Sequence, residues 1–130
     1  MSEPLWMEMA DALAVHEKML ALFGGLPGIR DTGLLESALA RPRHLFHYGQ
    51  PSLPELAASY AAGAVGNHPF LDGNKRTGFF AAVATLWMNG WRLDAAETEA
   101  AELFERLAAG ELGEAALAAW LERHSTRPKV

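Results

Sequence analysis

Between Ser52 and His68 the chain carries a segment almost without bulk, in which Ala57, Ala58, Ala61, Ala62, Gly63 and Gly66 recur at helical spacing. Ser52-Leu53-Pro54-Glu55 ahead of it is a capping box with proline tolerated in the first turn. The spacing therefore predicts a helix from near Leu53 to about Asn67. With so little side chain to hold neighbours away, such a helix must pack closely against others. The next segment supplies a partner. From about Asn74 to Met88 the residues are apolar nearly all round, the pattern of a helix at the buried centre of a helical domain. His68-Pro69 interrupts the first of these helices, and Asn89-Gly90 terminates the second.

The remaining chain keeps the same period. A first helix is expected from about Met7 to Phe23, with Leu13, Met19, Leu20 and Phe23 on one face, stopped by Gly24 and Gly25. Asp31 or Thr32 can cap a short helix through Ala40, which Pro42 should end by forbidding the α conformation at Arg41. A loop from Arg43 to Pro51 follows. Two amphipathic helices, roughly Glu97 to Ala108 and Glu114 to Arg123, would turn Leu103, Phe104, Leu107, Leu117, Trp120 and Leu121 inward. The expected architecture is all-α, a compact bundle of about six helices around a buried central helix. A single domain is expected over residues 1–124, with residues 125–130 expected as a flexible tail. At 130 residues, half of them hydrophobic, the chain can bury a core of its own.

Composition removes several function classes. With no cysteine, disulfides, thiolate metal sites and a cysteine nucleophile are excluded, and a reducing, cytoplasmic setting fits best. The start, with Glu3, Glu8 and Asp11, lacks the basic region of a signal peptide. The longest apolar run, Phe79 to Met88, falls far short of the ~20 residues that span a bilayer, so no membrane partner is expected. A net charge of −5 argues against direct nucleic acid binding, which needs clustered Lys and Arg. Seven acids between Asp94 and Glu114, against the single base Arg106, read as a solvated helix face. Any anion site must be local.

One such place exists. His68-Pro69-Phe70-Leu71-Asp72-Gly73-Asn74-Lys75-Arg76-Thr77 gathers titratable, glycine and basic residues between two apolar helices. Gly73 permits unusual backbone angles, and the free N–H groups of Asn74, Lys75 and Arg76 open a helix whose dipole is positive there. That is an anion cradle, and the added charges of Lys75 and Arg76 suit a polyphosphate. Asp72 offers a hard oxygen ligand, sufficient for Mg²⁺ that arrives with nucleotide phosphates. His68 can accept a hydroxyl proton near neutral pH. Phe70 reads as the anchor of the loop, and Thr77 as an ordinary helical position. A Walker-type phosphate loop is rejected, because Asn74 separates glycine from lysine and a helix rather than a strand precedes the turn. His44 and His47, three apart, lack a second metal-binding motif and read as a loop pair.

The decapeptide resembles the Fic/Doc family signature H-P-F-x-D/E-G-N-x-R, matched at His68, Pro69, Phe70, Asp72, Gly73, Asn74 and Arg76. Lys75-Arg76-Thr77 and the stretch from Gly24 to Pro42 are similar to the Doc (death-on-curing) branch. The resemblance implies a compact all-α fold and a cytosolic toxin of a toxin–antitoxin pair. It further implies transfer from a nucleoside triphosphate to a protein hydroxyl, by resemblance a threonine of elongation factor Tu. On that resemblance His68 takes the place of the base, Asp72 of the Mg²⁺ ligand, Gly73-Asn74-Lys75 of the anion hole and Arg76 of the phosphate-binding arginine. The loop Phe46 to Ser52 stands where the family has its target-docking flap. The adenylylating Fic branch reads G-N-G-R-x-x-R, whereas Lys75 replaces its glycine and Phe79 its second arginine here. That departure favours transfer of the γ-phosphate of ATP, with AMP transfer as the alternative. The cis-inhibitory S/T-x-x-x-E-G/N motif is missing, its nearest approach running from Thr98 to Glu102 and then Leu103. Inhibition would then fall to a separate, Phd-like antitoxin. A catalytically silent nucleotide- or partner-binding module is the reading from a different class.

Overall fold

A computed structural model describes residues 2–128. Six helices follow one another: α1 (Met9–Phe23), α2 (Thr32–Tyr48), α3 (Leu53–Asn67), α4 (Asn74–Met88), α5 (Glu97–Ala108) and α6 (Glu114–Arg123). Two two-residue strands, β1 (Arg92–Leu93) and β2 (Ser125–Thr126), pair antiparallel with Arg92 opposite Thr126. The all-α expectation holds.

Helix α3 is the centre. Its N-terminus is closed by the expected box, in which Ser52 Oγ accepts from Glu55 N–H and Glu55 Oε1 from Ser52 N–H. Leu56, Ala57, Ala58 and Ala61 are fully buried. At Gly63 a Cβ would lie 3.1 Å from the Ala38 Cβ of α2, and at Gly78 of α4 one would lie 3.2 Å from both Ala61 O and Val65 Cγ2. Missing side chains thus set how closely α2 and α4 approach. Gly66 has open space around it and plays no such part. On a third side α6 seals the core with Leu117, Trp120 and Leu121, beside Leu103 and Phe104 of α5.

Three expectations need correction. The buried central helix is α3, not α4, whose Trp87 stays 61% exposed and Phe80 38%. An apolar surround did not separate alanine, which disappears between neighbours, from aromatic rings that α4 turns towards surface grooves lined by Phe80 and Trp87. Next, Pro42 does not end α2. The helix runs on to Tyr48 with Pro42 buried inside it, forgoing one backbone bond at a usual cost of ~3 kcal/mol. Contacts on either side hold it: Arg41 pairs with Glu114, Arg43 with Glu8, and Phe46 meets Trp6 edge to face at 5.5 Å. Phe46, His47 and Tyr48 are therefore the last helical turn rather than part of a loop, and His44 and His47 are exposed helix positions rather than a loop pair. Finally, the tail begins as strand β2, because Asp94 N–H donates to His124 O at 2.7 Å and continues the pairing with β1. Lys129 and Val130 lie outside the described residues.

The acidic stretch is only partly a solvated face. Glu99 accepts from Trp120 Nε1 at 3.0 Å, Glu114 holds Arg41 and Glu105 holds Lys75. No helix is long and apolar enough to cross a membrane among the described residues.

Candidate functional site

The site is made by the way the chain leaves α3 and enters α4. His68 ends α3 in the left-handed region (φ 49°, ψ 56°), the only non-glycine residue with positive φ among the described residues. The last carbonyls of that helix would be left without donors, and Arg30 supplies them. Its Nε donates to His68 O at 2.7 Å and its Nη2 to Asn67 O at 2.8 Å. The segment around Arg30 also runs antiparallel to the loop: Arg30 and Asp31 N–H donate to Pro69 O, and Leu71 N–H to Gly28 O at 3.1 Å.

Asn74 closes the turn from the other side. Its Oδ1 accepts from Phe70 N–H and its Nδ2 donates to Phe70 O, both at 3.0 Å. That double pairing fixes the amide orientation. Its remaining N–H then points at His68 Nδ1, 3.3 Å away, so this nitrogen is an acceptor and the proton of the neutral ring sits on Nε2. The side chain of Asn74 thus shapes the loop, and only its backbone N–H is available to an anion.

Asp72 is committed in part. Oδ1 accepts from Gly73 N–H at 2.9 Å, and Oδ2 from Leu26 N–H at 3.2 Å. The α1–α2 connection can come this near only because residue 25 is glycine: a Cβ there would lie 2.9 Å from Asp72 Oδ2, on a backbone with φ +127°. Gly73, at φ +78°, is the N-cap of α4. Beyond it the N–H groups of Asn74, Lys75 and Arg76 have no hydrogen-bond partner among the described residues, while Thr77 N–H returns to Gly73 O.

These groups surround one cavity of about 630 Å³. His68, Asp72, Gly73, Asn74, Lys75 and Arg76 form one wall, and Ala100, Ala101, Phe104 and Glu105 of α5 form the other, with Phe79 between them. Arg76 lies 4.4 Å over the ring of Phe23, and Lys75 Nζ is 2.7 Å from Glu105 Oε1. All six residues singled out in the sequence therefore face one space. Thr77 instead turns inward, with a hydroxyl that finds no partner among the described residues. No group of three or more His, Asp or Glu able to cage a metal is found among the described residues. Asp72 keeps free lone pairs, which fits an ion held by one carboxylate and the phosphates of a substrate.

Two residues at the site escaped the sequence reading. Arg30 carried no visible role, since its partners are carbonyls remote in sequence. His16 of α1 is 5% exposed, stacks on Phe70 (3.7 Å between ring centres, 7° between planes) and bonds through Nε2 to Asp72 O at 2.8 Å. Its only sequence signal is a histidine among the buried positions Ala12 and Met19 of one helix face.

A helical domain whose loop and helix N-terminus line such a cavity defines a class of protein, and sequence comparison agrees. The profile of the Fic/DOC family matches residues 6–86, so this chain belongs to the Fic/DOC family. Within that family it sides with the Doc toxins. It is 32% identical over 114 residues to a protein named Protein kinase doc from Escherichia phage P1, across 87% of this chain and 90% of that relative. It is 43% identical over 76 residues to Toxin Doc of Mycolicibacterium smegmatis (strain ATCC 700084 / mc(2)155), across 56% of this chain and 58% of that relative. The matched profile ends within α4, so the α5 wall of the cavity lies beyond it.

Proposed function

We propose that the protein is a toxin that transfers the γ-phosphate of ATP to a threonine hydroxyl of a protein target, with elongation factor Tu as the expected target and arrested translation as the result. The observation that carries this reading is the placing of His68, Asp72 and the free N–H groups of residues 74–76 on one cavity wall. The relative named Protein kinase doc supports it.

The chemistry asks little of the protein beyond position and charge. Polyphosphate oxygens would take the free N–H groups of Asn74, Lys75 and Arg76, with the two cationic side chains beside them. The target hydroxyl would give its proton to the imidazole of His68. Its oxygen then bonds to the γ-phosphorus, the bond from that phosphorus to the bridging oxygen breaks, and ADP leaves with the electron pair. Mg²⁺, held by Asp72 and the phosphates, would offset the charge of the triphosphate.

AMP transfer is the second reading, and Phe79 weighs against it. Where the adenylylating branch has a second arginine, Phe79 packs edge to face on Phe104 of α5 at 4.9 Å, adding apolar surface where a phosphate ligand would be needed. A Phd-like antitoxin would silence the protein, in keeping with the missing cis-inhibitory motif.

Intact-mass analysis of elongation factor Tu after incubation with this protein, ATP and Mg²⁺ tests the proposal. One added phosphoryl group, lost with His68→Ala, is the expected result, and the variant should slow transfer by ~10²–10⁴-fold. Since His68 is exposed, the variant should unfold at the wild-type temperature. A gain of AMP would replace the kinase reading. Wild-type turnover by a folded His68→Ala protein would remove His68 as the base.

A further inference from the structure

The buried histidine of α1 is not explained by packing alone. An alanine-rich helix that needed only to cover Phe70 could do so with an aliphatic or aromatic residue. His16 instead places one nitrogen 2.8 Å from the carbonyl oxygen of Asp72. A carbonyl can only accept, so Nε2 must carry a proton, and the ring is held flat on Phe70 at 3.7 Å with that N–H aimed at the loop.

The bond falls on one particular peptide unit. The carbonyl of Asp72 and the N–H of Gly73 belong to the same planar group, and the N–H is taken by Asp72 Oδ1 at 2.9 Å. That unit is therefore gripped at both ends, on a residue pair whose second member is a glycine at φ +78°. Glycine offers little conformational resistance of its own. Rotation of this peptide would move Gly73 away from the N-cap geometry and re-aim the N–H groups of Asn74, Lys75 and Arg76. The ring also leaves room for the turn, lying 3.7 Å from the position a Gly73 Cβ would take.

We infer that His16 is a positioning residue for the anion cradle: through its Nε2–H bond to Asp72 O it locks the Asp72–Gly73 peptide, and so sets the aim of the N–H groups at residues 74–76. The inference rests on the cradle reading above, and its tests separate failure of the two. His16 touches no reacting atom. It acts through the peptide before the cradle, from the same helix that sets Phe23 under Arg76.

Three measurements decide it. In the wild-type protein, long-range ¹H–¹⁵N spectra of the imidazoles should show His16 with its proton on Nε2. A His16 ring protonated on Nδ1 alone would overturn the inference without any variant. His16→Phe keeps the stack on Phe70 and removes the donor, whereas His16→Gln can reach the carbonyl with its amide N–H. Amide hydrogen exchange at Gly73, whose N–H is bonded to Asp72 Oδ1, and at Thr77, whose N–H is bonded to Gly73 O, should speed up about tenfold in His16→Phe and return towards wild type in His16→Gln, the loss expected for about one hydrogen bond. Binding of inorganic tripolyphosphate should follow the same order, with no change of target or nucleotide involved. If His16→Phe leaves both exchange and tripolyphosphate binding at wild-type values, His16 is a packing residue. If the wild type binds no tripolyphosphate while exchange follows the expected order, the lock stands and the cradle reading falls.

Discussion

The two walls of the cavity are built on different physical terms. The loop wall, from His68 to Arg76, is held by directional bonds around the free N–H groups of residues 74–76: Arg30 on the last carbonyls of α3, Asn74 on both polar groups of Phe70, Asp72 on two N–H groups, and His16 on the Asp72 carbonyl. The α5 wall rests mainly on apolar burial of Ala100, Leu103 and Phe104 and the Phe79–Phe104 edge contact, with one bond from Trp120 Nε1 to Glu99 and a half-exposed ion pair between Lys75 and Glu105. Directional bonds fix angles as well as distances, whereas apolar contacts tolerate sliding. Under the proposed function, the loop wall would hold His68 and the N–H groups of residues 74–76 to the small tolerances that chemistry demands, while the more apolar α5 wall would yield to what enters.

The largest expected effect breaks the stiff wall. Asn74→Ala would strip partners from the buried N–H and C=O of Phe70 together, and each orphaned group costs ~1–3 kcal/mol. The variant should lose about 3 kcal/mol in urea unfolding and all measurable transfer. A loss under about 1 kcal/mol would mean that the loop relaxes into other bonds, and that the two walls do not differ as described.

This stiff wall was legible in the sequence by residue type and not by role. His68, Asp72 and the free N–H groups of residues 74–76 lie within ten consecutive residues, so a local reading could gather them as candidates, and they do line one cavity. From sequence Asn74 contributes only its backbone N–H, which is free, and nothing there signals that its side chain binds both polar groups of Phe70, a tertiary consequence of the turn. His16 and Arg30 reach the loop across 56 and 38 residues of chain, and no periodicity reports a bond of that separation. The limits of α3, α4, α5 and α6 followed from caps, glycines and spacing, which are local causes. Helix α2 did not, because tertiary contacts by Arg41, Arg43 and Phe46 overrode a local rule about proline. The Fic/Doc resemblance rests on the same decapeptide together with the stretch from Gly24 to Pro42, and the family match over residues 6–86 agrees with it.

A smaller effect comes from behind the stiff wall. Tyr60 of α3 is 3% exposed, and its hydroxyl accepts from Met7 N–H at 3.0 Å, tying the chain just before α1 to the centre of the fold. Burial pushes the Tyr60 phenol above its ordinary value of 10.0, outweighing the opposing pull of the Met7 hydrogen bond and of Arg43. The unfolded chain would ionise first. Stability from this group is therefore complete below about pH 10 and declines as the pH rises through the raised value. Tyr60→Phe should cost about 1 kcal/mol at neutral pH and flatten that alkaline decline, as read from urea unfolding at a series of pH values. An unchanged alkaline slope in the variant would assign the decline to other groups.

The smallest effect probes the yielding wall. Lys75 belongs to the cradle by position, yet its ammonium is paired with Glu105, and both side chains are well exposed (46% and 67%). A pair so wetted contributes ~0–1 kcal/mol and weakens with salt, so Glu105→Gln should leave unfolding within about 0.5 kcal/mol of wild type. Its consequence should appear in binding. An incoming polyphosphate must compete with Glu105 for Lys75 and also meets the carboxylate's repulsion. Removing the charge should tighten tripolyphosphate binding about threefold at low ionic strength, an advantage that shrinks as salt screens it. Should Glu105→Gln bind more weakly, the ion pair would be holding Lys75 in place for the phosphate, and α5 would join the loop as a wall that fixes geometry.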